Sequence, residues 1–143
     1  MNRRTYLAGL AGGGATALSG CLASLGSAGA SCDGDCDIGM TASAFDPQQY
    51  EVTVGETVTW KNTSSKGHTV TAYGGQIPED AAYFASGGFE SEDAAREGWR
   101  ESNEGVLTTG DSYEQTFEVV GEYDYVCLPH EAGRMVGTIV VTE

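Results

Sequence analysis

A chain of 143 residues with 40% hydrophobic and 9% aromatic residues supports one modest core and excludes a two-domain arrangement. Lys+Arg 7 against Asp+Glu 21 give a net charge of −14, which excludes nucleic acid as a partner, because a phosphate backbone repels it, and excludes a basic membrane-surface helix. Three Pro and 21 Gly without a repeat exclude collagen-like and proline-rich classes, and four Cys are too few for a disulfide scaffold.

The chain opens Met1-Asn2-Arg3-Arg4-Thr5-Tyr6-Leu7. Two adjacent arginines precede an uncharged, glycine-rich stretch from Tyr6 to Gly20. That stretch is too short to span a bilayer, which takes about 20 mostly apolar residues. Residues 1–20 resemble a twin-arginine export signal. The signal ends Leu18-Ser19-Gly20-Cys21, which resembles a lipobox with Cys21 as the lipidated residue. The alternative is an ordinary small-residue cleavage site with a free thiol. Residues 21–37, Gly/Ala/Ser-rich and then acidic, read as a flexible tether. Within it, Cys32 and Cys36 flank Asp33-Gly34-Asp35. Outside the membrane they can close a small disulfide loop, whereas a metal clip there lacks a nearby histidine.

Residues 38–143 form the folded domain. Period-two alternation predicts half-buried strands over Met40–Phe45, Tyr50–Val54, Thr57–Trp60, His68–Thr71, Tyr113–Val119, Tyr123–Cys127 and Met135–Thr142. Short strands between turns imply an all-β antiparallel sandwich. Ser91–Arg100 breaks the pattern as a short helical insertion. Ser91 caps it, Glu92 and Arg96 are spaced to pair, and Ala95 and Trp99 face the core. Asn62-Thr63-Ser64 matches an N-glycosylation acceptor, a match of low specificity. The acidic surface reads either as a docking face for a basic partner or, more simply, as a solvated face suited to high salt. The Debye length there falls to about 3 Å at 1 M.

The informative segment runs Cys127-Leu128-Pro129-His130-Glu131-Ala132-Gly133-Arg134-Met135. It carries a thiol, an imidazole and a thioether. Pro129 favours an extended Leu128 and stops a helix from starting, and Gly133 lets the loop curl back. The three side chains can then converge. Thiolate and imidazole suit zinc, copper or iron, while a thioether is a soft ligand suited to copper(I). The chain has two histidines, so a second imidazole is His68. Two nitrogens, a thiolate and a weak axial thioether make up a blue-copper site.

Cys-x-x-His-x-x-x-x-Met after Tyr123-x-Tyr125-x-Cys127, with Gly67-His68-Thr69-Val70 upstream, resembles the plastocyanin branch of the cupredoxins. Phe45-Asp46-Pro47 and the run Val52–Asn62 also resemble the opening strands of that family, and Tyr83–Phe89, the acidic surface and the lipoprotein signal together resemble halocyanins, membrane-tethered blue copper proteins of halophilic archaea. The resemblance implies a cupredoxin-like Greek-key β-sandwich with a short helical insertion. It implies one type 1 copper ion held by His68, Cys127, His130 and Met135. It implies that Thr69 ties its strand to the cysteine loop, that Pro129 and Arg134 surround the site, and that His130 lies near the surface. Arg134 departs from the small residue usual before the methionine; a cation there is expected to favour copper(I) and raise the potential. The implied role is a monomeric electron carrier, not an enzyme and without a small-molecule substrate. It would be lipid-anchored on the extracytoplasmic face of the cell membrane, between redox proteins of a respiratory chain. Two other functions fit parts of the pattern. One is an extracytoplasmic copper carrier, and the other is a hydrolase with Cys127 as nucleophile and a histidine base.

Overall fold

The computed structural model describes Cys32 and residues 34–143. The export signal at 1–20, Cys21 and the first part of the tether lie outside the described residues. Among the described residues eight strands form in chain order: β1 Ile38–Met40, β2 Phe45–Asp46, β3 Gln49–Thr53, β4 Thr57–Asn62, β5 Thr71–Ala72, β6 Ser112–Thr116, β7 Gly121–Val126 and β8 Val136–Thr142. A helix, α1, spans Glu92–Ser102 between β5 and β6. Among the described residues no helix is long and apolar enough to cross a membrane.

The strands make two four-stranded sheets, ordered β2-β1-β4-β6 and β3-β8-β7-β5. The architecture is the cupredoxin-like sandwich, but each sheet is mixed rather than purely antiparallel. β1 runs parallel to β4 (Ile38 opposite Trp60), and β3 runs parallel to β8 (Tyr50 opposite Ile139). Alternation reports which side chains are buried and is blind to the direction of the neighbouring strand. The stretch Met40–Phe45 is likewise two strands. Thr41 turns the chain, its N–H donating to the Ala44 carbonyl at 2.9 Å, and Met40 and Phe45 are buried on either side.

Alternation does place the core. Val58 and Trp60 of β4 and Ile139 and Val141 of β8 point inward. Trp60 sits at the centre, edge-on to Tyr125 at 5.4 Å between centroids and stacked on Phe84 at 6.3 Å. Phe117 continues the cluster, edge-on to Phe84 at 5.3 Å and to Tyr123 at 4.9 Å. Edge-to-face pairs of this kind add about 0.5–1.5 kcal/mol each beyond burial. The core thereby fixes β7, whose end carries Cys127.

α1 is capped as its sequence implies: Ala94 N–H donates to Ser91 Oγ at 3.1 Å. It runs to Ser102, where Asn103 in a left-handed conformation (φ 57°) closes it, its N–H donating to the Trp99 carbonyl at 2.9 Å. Ala95 and Gly98 are its buried residues, while Trp99 is only half-buried. Gly98 is required because a Cβ there would lie 2.6 Å from the Phe89 ring.

Residues 35–37, assigned to the tether from sequence, are held to the sheet. Asp37 accepts from Thr59 N–H at 2.9 Å and from the Tyr50 hydroxyl at 3.2 Å, and Asp35 pairs with Lys61 at 2.6 Å. Cys32 and Cys36 are joined by a disulfide. The glycosylation match does not survive folding. Asn62 is 0% exposed, and its amide nitrogen donates to the carbonyls of Lys66 and Leu107.

Tyr125 of β7 lies opposite Gly137 of β8, and a Cβ at 137 would sit 2.5 Å from the phenol. Gly137→Ala must push this ring into Trp60. The expected loss is about 1–3 kcal/mol of stability, read as a lowered thermal midpoint; an unchanged midpoint shows that Tyr125 has room to move.

Candidate metal centre

His68 reaches the site from a short ladder rather than from within a strand. It bridges Leu107, donating its N–H at 3.1 Å and accepting the Leu107 N–H at 2.7 Å, and β5 begins only at Thr71. Cys127 follows β7 directly. His130 lies in a 3-10 segment, Leu128–Gly133, that is broken at His130 itself (φ −120°, ψ 20°). Sequence reading has Pro129 barring a helix there. The structure forms helical turns because Pro129 occupies the first turn, where no N–H is needed and its fixed φ is favourable. The loop reverses at Arg134, at φ 63°, and not at Gly133. Arg134 N–H donates to the Glu131 carbonyl at 2.9 Å. The side chain of Arg134 is exposed.

These elements bring three donor atoms together. Cys127 Sγ is 3.4 Å from His68 Nδ1 and 3.3 Å from His130 Nδ1. All three atoms lie within 4.8 Å of one another. Met135 is bound to the same loop by its backbone. Cys127 N–H donates to the Met135 carbonyl at 3.0 Å, and Met135 N–H donates to the His130 carbonyl at 3.2 Å. His68 and Cys127 are 0% exposed and Met135 is 1% exposed, while His130 is half-buried. Two imidazole nitrogens, one thiol and a neighbouring thioether fit copper, and the thioether argues against a structural zinc.

Burial governs the chemistry of these groups. Desolvation, with the nearby His130 ring adding to it, pushes His68 down to about 4, so the imidazole is neutral and able to ligate at pH 7. Desolvation also pushes the Cys127 thiol up to about 11. A metal must therefore displace the thiol proton.

The surrounding residues lock the loop. Leu128 N–H donates to Thr69 Oγ1 at 2.9 Å, joining the segment after Cys127 to the segment after His68. A second clamp was not legible in the sequence. Arg96 of α1 forks onto the Glu131 carboxylate at 2.8 and 3.0 Å and also holds Glu92 at 2.8 Å. The Tyr73 hydroxyl donates to the same carboxylate at 3.0 Å. The Arg96 guanidinium holds the Glu131 carboxyl below the usual range. Helical spacing pairs Arg96 with Glu92, but nothing local reveals a partner 35 residues away. Ser64 is equally hidden in the sequence: its Oγ lies 3.0 Å from His68 Nε2.

Comparison with known proteins agrees with this geometry. The chain is 32% identical over 101 residues to plastocyanin of Scenedesmus fuscus, covering 70% of this chain and 88% of that protein. It is 36% identical over 104 residues to halocyanin of Natronomonas pharaonis, covering 72% of this chain and 51% of that protein, so the match spans about half of the halocyanin. Among solved structures, an amicyanin variant in its reduced state aligns with a TM-score of 0.52 at 25% identity, covering 73% of this chain and 78% of that one. A copper-containing nitrite reductase from Thermus scotoductus aligns with a TM-score of 0.54 at 26% identity, covering 74% of this chain but 22% of the enzyme. The profile of the family described as copper binding proteins, plastocyanin/azurin family, matches residues 31–142, a span that holds the whole donor set. His68, Cys127, His130 and Met135 form a type 1 copper site, and the chain belongs to the plastocyanin/azurin family.

Proposed function

We propose that the protein is a monomeric blue-copper electron carrier. It is exported through its twin-arginine signal, anchored by lipid at Cys21 on the extracytoplasmic face of the cell membrane, and passes single electrons between redox proteins of a respiratory chain. The observation that carries this reading is the triangle of His68, Cys127 and His130, three donor atoms within 4.8 Å of one another. When bound, copper supplies a one-electron Cu(I)/Cu(II) couple.

The chain's own residues supply the rest. Buried His68 and Cys127 exclude water from the ligands. Half-buried His130 is the ligand a redox partner can approach. Thr69 holds the start of the ligand loop at Leu128 and Arg96 holds its middle at Glu131, so its geometry changes little between oxidation states. The membrane placement draws on the N-terminal sequence and on the similarity to halocyanin.

The other readings fit less well. A nucleophilic cysteine needs a reachable thiolate, whereas Cys127 is 0% exposed with its thiol pushed up to about 11. A copper carrier needs ligands that open for exchange, whereas Cys32 and Cys36 are bonded to each other and Cys127 is enclosed. The nitrite reductase similarity covers only 22% of that enzyme.

Loaded with copper(II), the protein is expected to show an intense sulfur-to-copper band in the visible that bleaches on reduction, and Cys127→Ser should lose it. A colourless wild-type product rules out the carrier. The high thiol pKa gives the sign of a pH effect. Between pH 6 and 9 each copper(II) bound releases about one proton, so apparent affinity rises about tenfold per pH unit; titrations that show no slope exclude Cys127 as a thiolate ligand. Protonation of His68 opposes binding only as the pH falls to about 4 and below. Arg134→Gly removes a cation and a left-handed non-glycine residue together. Voltammetry should show a lower potential, and melting should show a gain of about 1 kcal/mol. An unchanged potential means that the exposed charge is screened.

A further inference from the structure

Asn62-Thr63-Ser64 has no accessible amide for a glycan, yet its polar side chains lead to the metal centre. Asn62 ends β4 and is fully buried. Its Nδ2 donates to the Lys66 carbonyl at 2.6 Å and to the Leu107 carbonyl at 2.8 Å. Those bonds use both amide protons and fix which end of the amide is oxygen. Oδ1 therefore faces the other way, where Ser64 N–H donates to it at 2.8 Å and Ser64 Oγ lies at 2.9 Å.

Counting protons decides the rest. An amide oxygen only accepts, so at 2.9 Å the single hydroxyl proton of Ser64 points at Asn62 Oδ1 rather than at the Lys66 carbonyl, which is farther off at 3.4 Å; turned there, two acceptors would face each other at 2.9 Å. Ser64 Oγ then offers only lone pairs to its other neighbours. Lys66 N–H donates to it at 3.2 Å. His68 Nε2 lies 3.0 Å from it and forms a bond there only by bringing a proton. A neutral imidazole has one N–H, so Nδ1 is left with its lone pair, and Nδ1 is the atom facing Cys127 Sγ at 3.4 Å.

We propose that Ser64, oriented by Asn62, is a positioning residue that fixes His68 as the Nε2–H tautomer and so presents Nδ1 to the metal ready to bind. The backbone of His68 is anchored to the same group of residues as its ring. The Leu107 carbonyl that accepts from Asn62 also accepts the His68 backbone N–H at 3.1 Å, so one carbonyl anchors both residues. Partners on the far nitrogen of a ligating histidine set its orientation and basicity, and their loss typically costs about 10–100-fold in metal affinity. The proposal rests on His68 being a ligand and is independent of what the copper is used for.

The test is nitrogen-15 NMR of the histidine rings in the metal-free protein at pH 8, followed by copper(II) titration. In the native chain His68 should carry its proton on Nε2 alone. Ser64→Ala should give a mixture of tautomers and weaken copper(II) binding about 10–100-fold. Ser64→Thr, which keeps the hydroxyl, should restore both. A native protein with His68 protonated on Nδ1 overturns the proposal even if the alanine variant does not fold. So does a folded Ser64→Ala that has a lower thermal midpoint but keeps the Nε2–H tautomer and native copper affinity, because that is a structural role only. Neither readout involves a redox partner, so failure here leaves the electron-carrier reading to its own spectroscopic test.

Discussion

One hydrogen bond joins the two halves of the metal centre. Leu128 N–H donates to Thr69 Oγ1 at 2.9 Å, across 59 residues of chain. Thr69 follows one ligand and Leu128 follows another, so the bond, together with the β5–β7 pairing of Thr71 with Val126, sets how far His68 stands from Cys127. Thr69 is buried and Leu128 half-buried, and leaving such an N–H unpaired costs up to about 1–3 kcal/mol. The site is therefore a property of the folded sandwich. The aromatic cluster around Trp60 fixes β7, β7 delivers Cys127, and the Thr69 hydroxyl delivers the opposite wall.

The helical insertion gives a second hold on the same loop. α1 lies outside the two sheets, but its Arg96 reaches Glu131, next to His130, with two parallel bonds. Arg96 and Glu131 are only partly buried, so the pair is worth little as a stability term, of the order of a surface ion pair at about 0–1 kcal/mol. Its value is directional. A fork on a planar carboxylate limits rotation in a way that a single bond does not. With the Tyr73 hydroxyl on the same carboxylate, the outer end of the ligand loop has fixed partners even though His130 itself is half open to solvent.

The donor set was legible because three of its four members fall within one nine-residue segment and the chain holds only one other histidine. The buried faces of β4 and β8 were legible for the same local reason, a period of two. What the sequence hid depends on long-range placement or on single torsions. Strand direction does not alter alternation, so the parallel β1–β4 and β3–β8 pairings left no mark. The loop turns at Arg134, where glycine chemistry pointed to Gly133. Pro129 reads as a helix breaker until its place in the first turn is known. Asn62-Thr63-Ser64 reads as a surface acceptor until the fold buries the amide against Lys66 and Leu107.

Charge near His130 differs from charge over the whole chain, and distance decides which one acts there. The ligand loop carries Glu131 and Arg134, and Glu131 is already matched by Arg96. Arg96 is shared with Glu92, so that cluster keeps one negative charge, and the exposed side chain of Arg134 brings the surroundings of the loop close to neutral on a chain of net −14. At about 0.15 M salt the Debye length is about 8 Å, and at 1 M it is about 3 Å. Carboxylates on distant strands are screened at either value, more completely in high salt. A redox protein of the proposed kind, once within contact distance of His130, would respond to Arg134 and the Glu92–Arg96–Glu131 cluster. The overall acidity acts instead on solubility and self-repulsion.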